Sequence, residues 1–222
     1  MGWFDIKATN VAVLSYRVLI SMGLLCITLL PSSSFSSEPT YKLHYTPEIF
    51  KTGDLIFRRS NSIAGQFVLT VDSQTEYTHV GIIYIEEKEI YVIHAAPNNP
   101  ISHQGAVLIE PIRDFLAPNV AVAGAVYRLH PYDQLTAQQA ADTALNYVHA
   151  HLSFDDDFDL KTDKALYCTE LVWKAYLSTG LDLTMNKFDR LSFPFAKGEY
   201  LLPSRLIDSP YLQFVASLNI GE

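Results

Sequence analysis

Three residues carry the chemistry that this sequence offers: Cys168, His79 and His94. Cys168 opens the run Cys168-Thr-Glu-Leu-Val-Trp-Lys-Ala-Tyr, in which Leu171, Val172, Ala175 and Tyr176 recur at helical spacing. Lying three and four residues before Leu171 and Val172, the thiol is expected at the edge of that stripe, in the helix's first turn, with Glu170 and Lys174 facing outward. A first turn has unpaired amide N–H groups and the positive end of the helix dipole. Both lower a thiol pKa, and the same amides can hold an oxyanion. The two histidines flank a hairpin signal, His79-Val-Gly-Ile-Ile-Tyr-Ile85 and Ile90-Tyr-Val-Ile-His94 around Glu86–Glu89. If Ile85 pairs with Ile90, Gly81 faces His94 and leaves room beside its ring. His79 and His94 then share a sheet face as diagonal neighbours, roughly 7–8 Å apart. A thiol at a helix start facing two such histidines is what a cysteine hydrolase needs. One imidazole takes the thiol proton and returns it to the leaving group, while a second polar residue orients the first. The plainer account is a buried cysteine packing as a small hydrophobe beside satisfied core histidines.

The elements that must position these residues can be read in order. Lys51-Thr-Gly-Asp54 is a turn before the short strand LIFRR. Ser62 to Val71 is expected to be a helix with Ile63, Phe67 and Val68 on one side. After the hairpin, Ala106–Glu110 and Val120–Leu129 read as strands, with Ile112–Leu116 a helical turn between them. Thr136-Ala-Gln-Gln139 has capping-box spacing and opens the helix AQQAADTALNYVHAHL. The cysteine helix follows, begins near Cys168 and stops at Gly180, and the tail from Asp182 is expected to be irregular, interrupted by Pro194, Pro203 and Pro210. A β-rich middle followed by helices is an α+β class rather than alternating βαβ.

The 222 residues include 49% hydrophobic and 18% charged positions, enough for one sizeable core. Sixteen basic against 24 acidic residues give a net charge of −8, which argues against a nucleic-acid partner. Val18 to Leu30 is a thirteen-residue apolar run behind Arg17, followed by Pro31 and the small, polar SSSFSSEP. That is the pattern of a secretory signal peptide over residues 1–37, cleaved near Ser36–Glu38, and it is shorter than the ~20 residues of a spanning helix. The expected compartment is the periplasm or cell envelope. Residues 38–222 then form the mature domain. Removing Lys7, Arg17 and Asp5 leaves 14 basic and 23 acidic residues, net −9, and removing Cys26 leaves Cys168 as the single thiol.

Gly53-Asp-Leu-Ile-Phe-Arg-Arg59, Tyr77-Thr-His-Val-Gly-Ile-Ile83, His94-Ala-Ala-Pro97, Phe154-Asp-Asp-Asp-Phe158 and Tyr167-Cys-Thr-Glu-Leu-Val-Trp173, in that order, resemble the YiiX/YebB-like family. That family belongs to the circularly permuted, papain-like branch of NlpC-type cysteine hydrolases. The resemblance runs from about Thr52 to about Pro203. It implies an antiparallel sheet or half-barrel packed against the helix that bears the nucleophile, with the histidine strand ahead of the cysteine helix. It further implies Cys168 as nucleophile and His79 as general base. The third position is often Glu in YiiX-like members, and here His94 takes the strand-end place, as a histidine does in lecithin:retinol acyltransferase-like relatives.

Other residues have plainer accounts. Asp54 fits turn chemistry, and the acidic run Asp155, Asp156, Asp157 and Asp159 lacks the Gly and terminal Glu of an EF-hand loop. Arg58 and Arg59 are candidates for a substrate carboxylate, and His149 and His151 suit a helix C-terminus. A zinc site from Cys168, His79, His94 and His103 lacks any short-spaced ligand pair, and no cofactor is implied. Phe193-Pro-Phe195 and Tyr200 are candidates for a substrate groove. The expectation is an exported cysteine hydrolase acting on amide or peptide bonds, with cell-wall peptides suggested by analogy of fold. Its rivals are a lipid-directed thioesterase or acyltransferase on the same dyad, which would need an apolar groove, and a non-catalytic envelope binding module.

Overall fold

The computed structural model describes residues 45–97, 105–191 and 198–220. The segment expected to be a signal peptide, residues 1–37, lies outside them, as do His103 and Phe193–Phe195. Eight strands run β1 (Leu55–Arg59), β2 (His79–Glu86), β3 (Glu89–Ala96), β4 (Ala106–Pro111), β5 (Ala123–Leu129), β6 (Ser153–Phe154), β7 (Ala165–Leu166) and β8 (Leu212–Leu218). Five α-helices are interspersed among the described residues: α1 (Ile63–Val71), α2 (Ile112–Phe115), α3 (Gln134–His149), α4 (Cys168–Leu177) and α5 (Pro203–Ile207). The strands form one sheet in the order β7-β6-β4-β3-β2-β1-β5-β8, antiparallel except for the short β6–β7 pair. This is the expected α+β class.

The β2–β3 hairpin has the expected register, Ile85 opposite Ile90 and Ile83 opposite Val92. Glu86 pairs with Glu89, so Glu87 and Lys88 alone make the turn, at φ of 50° and 75°. Two left-handed residues match the twist of the flanking strands, which fixes the register tightly.

Alternation along the strands divides the core into two faces. Leu55, Phe57, Val80, Ile82, Ile93 and Ala95 pack beneath α3 and α4. The α3 residues in that layer are Ala137, Ala140, Ala141 and Ala144, all buried, and such small side chains let the helix axis lie close. Gly53 is needed here: at φ +88° it lies so near α3 that an added Cβ would be 2.5 Å from Ala137 Cβ. The Tyr176 hydroxyl of α4 donates to the Gly53 carbonyl, tying the same turn to the cysteine helix. On the other face Ile56, Ile83, Val92 and Val126 pack against Phe50, Ile112, Phe115 and Leu116.

Several expected boundaries move, and α4 ends at Leu177 rather than Gly180. β5 begins at Ala123, because Val120 and Ala121 N–H groups turn back to the Ala117 carbonyl. α3 begins at Gln134, because Asp133 accepts from Leu135 N at 3.0 Å and from the Thr136 hydroxyl at 2.6 Å, a cap three residues ahead of the expected one. It ends at His149, and His151 at φ +52° reverses the chain. The tail is also more regular than expected. Pro203 occupies the first turn of α5, where no N–H is required, and β8 then pairs with β5 across a bulge between Val126 and Tyr127.

Candidate active site

The cysteine is placed by its helix. β7 delivers the chain to Tyr167, and Cys168 is the first residue of α4. Glu170 does not face outward as expected. It is buried and accepts from Tyr167 N at 3.2 Å, capping the helix start, while Lys174 Nζ lies 3.1 Å from its other oxygen. Lys174 is held in turn by Asp163 at 2.7 Å. The same turn is pinned from the far side: Tyr167 Oη accepts from Leu201 N at 2.9 Å and the Thr169 hydroxyl donates to the Leu201 carbonyl.

The half-buried Cys168 lines a cavity of about 440 Å³ whose other walls are mostly carbon: Phe67 and Val71 of α1, Phe158, Leu201 and Pro203. The apolar side of α1 therefore meets this cavity and solvent instead of the core, with Ile63 92% and Phe67 56% exposed. Phe158 is held at the cavity with φ +54°, in a loop shaped by the buried Asp155, which accepts from Asp157 N at 3.0 Å and Asp159 N at 2.7 Å. The acidic run thus has one structural member and is not wholly solvated. Tyr200 also lines the cavity.

The expected low thiol pKa is not found. Burial pushes Cys168 up to about 11, outweighing the amides of Val80, Thr169 and Cys168 itself and the charge of Arg58, all of which pull it down. The helix-start effect is present but smaller than desolvation. The Val80 amide adjoins His79, so the thiol and that imidazole come to the same end of β2. Among the described residues no hydrogen bond joins them.

The two histidines are brought together. His79 Nε2 lies 2.8 Å from His94 Nδ1, with the rings perpendicular at 4.9 Å between centroids. Gly81 makes the room: an added Cβ would stand 2.5 Å from Val92 Cγ1 and 3.1 Å from His94 Cβ. Their face is not the expected one. Both rings pack on Phe115 of α2, at 5.8 Å and 5.1 Å, on the sheet side opposite α4. The alternation that groups His79 with Ile83 and Val92 takes the pair away from the helical layer.

Two residues complete the cluster without having been expected in these places. Glu110 Oε1 of β4 is 2.9 Å from His94 Nε2. Arg58 of β1 lies against Phe115 with its guanidinium 4.4 Å from the ring centre. The signal for Glu110 was its position as the lone acid in the strand AVLIEP. In the β3–β4 ladder His94 faces Leu108, so Glu110 is two residues along, the same diagonal relation that joins the histidines. Arg59, by contrast, points to solvent and pairs with Glu76 at 3.2 Å. Asp54 is structural, buried with both oxygens on Arg128 at 2.7 and 2.6 Å.

The cluster fixes its own proton positions. A carboxylate only accepts, so Glu110 holds His94 as the Nε2–H tautomer and leaves Nδ1 as an acceptor. His94 Nδ1 then takes its hydrogen bond from His79 Nε2–H, so the basic lone pair of His79 is on Nδ1. Burial, and after it the Arg58 charge, lowers both imidazoles from their usual range, most strongly His79, so both are neutral near pH 7. Despite its burial, Glu110 is lowered by its bond to His94 and by the charges of His94 and Arg58. No group of three His, Cys, Asp or Glu side chains among the described residues is arranged to hold a metal ion.

Residues 49–216 match the family described as permuted papain-like amidase enzymes, YaeF/YiiX, C92 family. The uncharacterized protein YiiX of Escherichia coli strain K12 is 27% identical over 186 residues, covering 75% of this chain and 86% of that protein. A crystal structure described as that of the metalloprotein yiiX from Escherichia coli O157:H7 superposes with a TM-score of 0.62 at 24% identity, over 75% of this chain and 96% of that one.

Proposed function

The chain belongs to the permuted papain-like amidase family and is a cysteine hydrolase; from that premise we propose that Cys168 is its nucleophile and His79 its general base, with His94 and Glu110 orienting the base. The observation that carries this is the unbroken hydrogen-bonded line from Glu110 through His94 to His79, the residue before Val80, whose amide reaches the Cys168 thiol. As Cys168 Sγ attacks the substrate carbonyl carbon, His79 Nδ1 takes the thiol proton. The Cys168 backbone N–H helps hold the resulting oxyanion. His79 then gives the proton to the leaving nitrogen, the C–N bond breaks, and an acyl thioester remains on Cys168. Water, deprotonated by His79, releases the acid and restores the thiol. The imidazolium formed in passing is shared with His94 and Glu110 through the same two hydrogen bonds.

A neutral starting dyad follows from the raised thiol and the lowered imidazoles. Proton transfer then accompanies attack, in contrast to a preformed thiolate–imidazolium pair. The apolar run Val18–Leu30 behind Arg17 supports export to the cell envelope. Peptide amides of the wall are the substrate suggested by that compartment and by kinship of fold.

A second reading, a lipid-directed thioesterase or acyltransferase on the same residues, is favoured by the apolar cavity of about 440 Å³ beside Cys168. Turnover of wall-derived peptides, N-acyl amides and long-chain acyl thioesters by the wild type, Cys168→Ala and His79→Ala separates the two. Hydrolysis of peptides alone supports the first reading, and preference for long acyl chains supports the second. Turnover that survives Cys168→Ala would overturn both.

A further inference from the structure

Arg58 is charged and nearly buried, and takes no part in the proton transfers between Cys168 and His79. It stands directly across from His79 in the β1–β2 ladder, and its side chain is 13% exposed. Nη1 donates to the Phe115 carbonyl at 2.7 Å, and Glu110 Oε1 is 3.9 Å from the same nitrogen. Nε is buried, with no hydrogen-bond partner among the described residues. A buried guanidinium normally takes a two-pronged carboxylate, which satisfies its charge and donors together. Here the carboxylate in reach is already bonded to His94, and Arg58 instead spreads over an aromatic ring that both catalytic-candidate imidazoles touch. A residue that only filled space over Phe115 would not need a charge. The group that gains most from a fixed cation at this end of β2 is one that becomes negative during the reaction.

We propose that Arg58 is a positioning residue, the fixed counter-cation of the site: it holds Phe115 and Glu110 against the histidine pair and lends its charge to Cys168 when the sulfur ionises. The groups around it are His79 on β2, His94 on β3, Glu110 on β4 and Cys168 on α4. From α2 it meets the Phe115 ring and carbonyl, while Arg113 and Asp114 are exposed. The signs agree. The Arg58 charge lowers Cys168 and also lowers both imidazoles. It therefore opposes imidazolium formation at rest, which preserves the neutral tautomers, and favours the thiolate when the proton leaves.

The test is alkylation of the full-length chain by iodoacetamide from about pH 6 to about pH 11, read at the Cys168 peptide by mass spectrometry, separately from Cys26. Arg58→Met is expected to slow Cys168 alkylation at pH 8 by about three- to tenfold and to move the profile to higher pH. The imidazole NMR signals of His79 and His94 are expected to titrate at higher pH in the same variant. Arg58→Lys, which keeps the charge and loses the fork, stays within about twofold of wild type. A merely structural role predicts the opposite direction, since opening the site would hydrate the thiol and bring its pKa down. Such a downward move, an unchanged profile in Arg58→Met, or an equal shift in Arg58→Lys would overturn the proposal. Arg58→Gln replaces the methionine variant if that one fails to fold. The role assigned to Arg58 rests on Cys168 being the nucleophile, and the two fail separately. A thiol that never acylates yet shifts in Arg58→Met would defeat the hydrolase mechanism alone, and an acylating thiol indifferent to Arg58 would defeat only the counter-cation.

Discussion

At the scale of single residues, the chemistry turns on which ring nitrogen of His79 is basic. Glu110 decides this from two hydrogen bonds away, through His94. Glu110→Gln replaces an obligatory acceptor with a group that can also donate, so His94 can adopt the other tautomer and withdraw the support of His79. Steady-state kinetics should show kcat lower by roughly 10²- to 10⁴-fold with KM nearly unchanged. A loss confined to KM would show that Glu110 binds substrate instead. The pH dependence follows from the imidazoles. Their pKa values are lowered by burial and by Arg58, so the basic form persists below the ordinary histidine range. The acid limb of kcat/KM should therefore lie below about pH 6.5. An acid limb at or above that value would contradict the buried, neutral pair. In stability the same shifts act in one direction: protonation is harder in the folded state, so stability falls as pH drops below the unfolded histidine value.

At the scale of elements, two places join packing to the site. Gly81 lets β2 and β3 carry two imidazoles side by side, and any Cβ there would press on Val92 and on His94. Gly81→Ala is expected to cost about 1–3 kcal/mol in denaturant unfolding and to lower activity further by displacing His94. Unchanged stability would mean that the hairpin gives way without cost. The start of α4 is the second place. Burial pushes Glu170 up to about 7, against the pull of Lys174 and the Tyr167 amide. An acid whose folded pKa is raised binds its proton more tightly when folded, so its contribution is fully present below the unfolded value and is lost as pH rises through about 7. Thermal unfolding from pH 5 to pH 8 should lose stability more steeply in the wild type than in Glu170→Gln. Parallel slopes would show that Glu170 does not titrate in this window. How legible these elements were in the sequence depended on how local their determinants are. A two-residue turn fixed the β2–β3 register, and the apolar stripe fixed α4, so His79, His94 and Cys168 could all be placed on their elements. Glu110 could not be joined to them, because residues 97–105 separate β3 from β4 and leave that register open. The α4 side of the sheet could not be told from the α2 side by alternation alone, so the histidines were expected on the wrong face. The thiol pKa departs from expectation for a related reason. A helix start can be read from sequence, whereas desolvation depends on what the fold brings over it.

At the scale of the molecule, one curled, mainly antiparallel sheet separates two layers of chemistry. The α2 side holds the hydrogen-bonded cluster of His79, His94 and Glu110 with Arg58 beside it, and the α4 side holds the thiol and its apolar cavity. The two meet at the first residues of β2, where His79 gives way to the Val80 amide near Cys168. The order of elements, with the histidine strand ahead of the cysteine helix, was readable from the chain, and so was the family. β8 was not, because its pairing with β5 depends on partners more than 80 residues away. The cavity walls from α1, the Phe158 loop and the α5 entry come from three distant segments, so no local pattern announced them. The most direct test of the whole account is to mix the full chain with an activated acyl donor, quench within a turnover, and weigh the Cys168 peptide. An acyl adduct on Cys168 is expected to accumulate in the wild type, to form roughly 10²- to 10⁴-fold more slowly in His79→Ala, and to be absent in Cys168→Ser by thioester-specific hydroxylamine cleavage. Turnover of the donor with Cys168 unmodified at every quench time, or an adduct whose rate ignores His79, would contradict it.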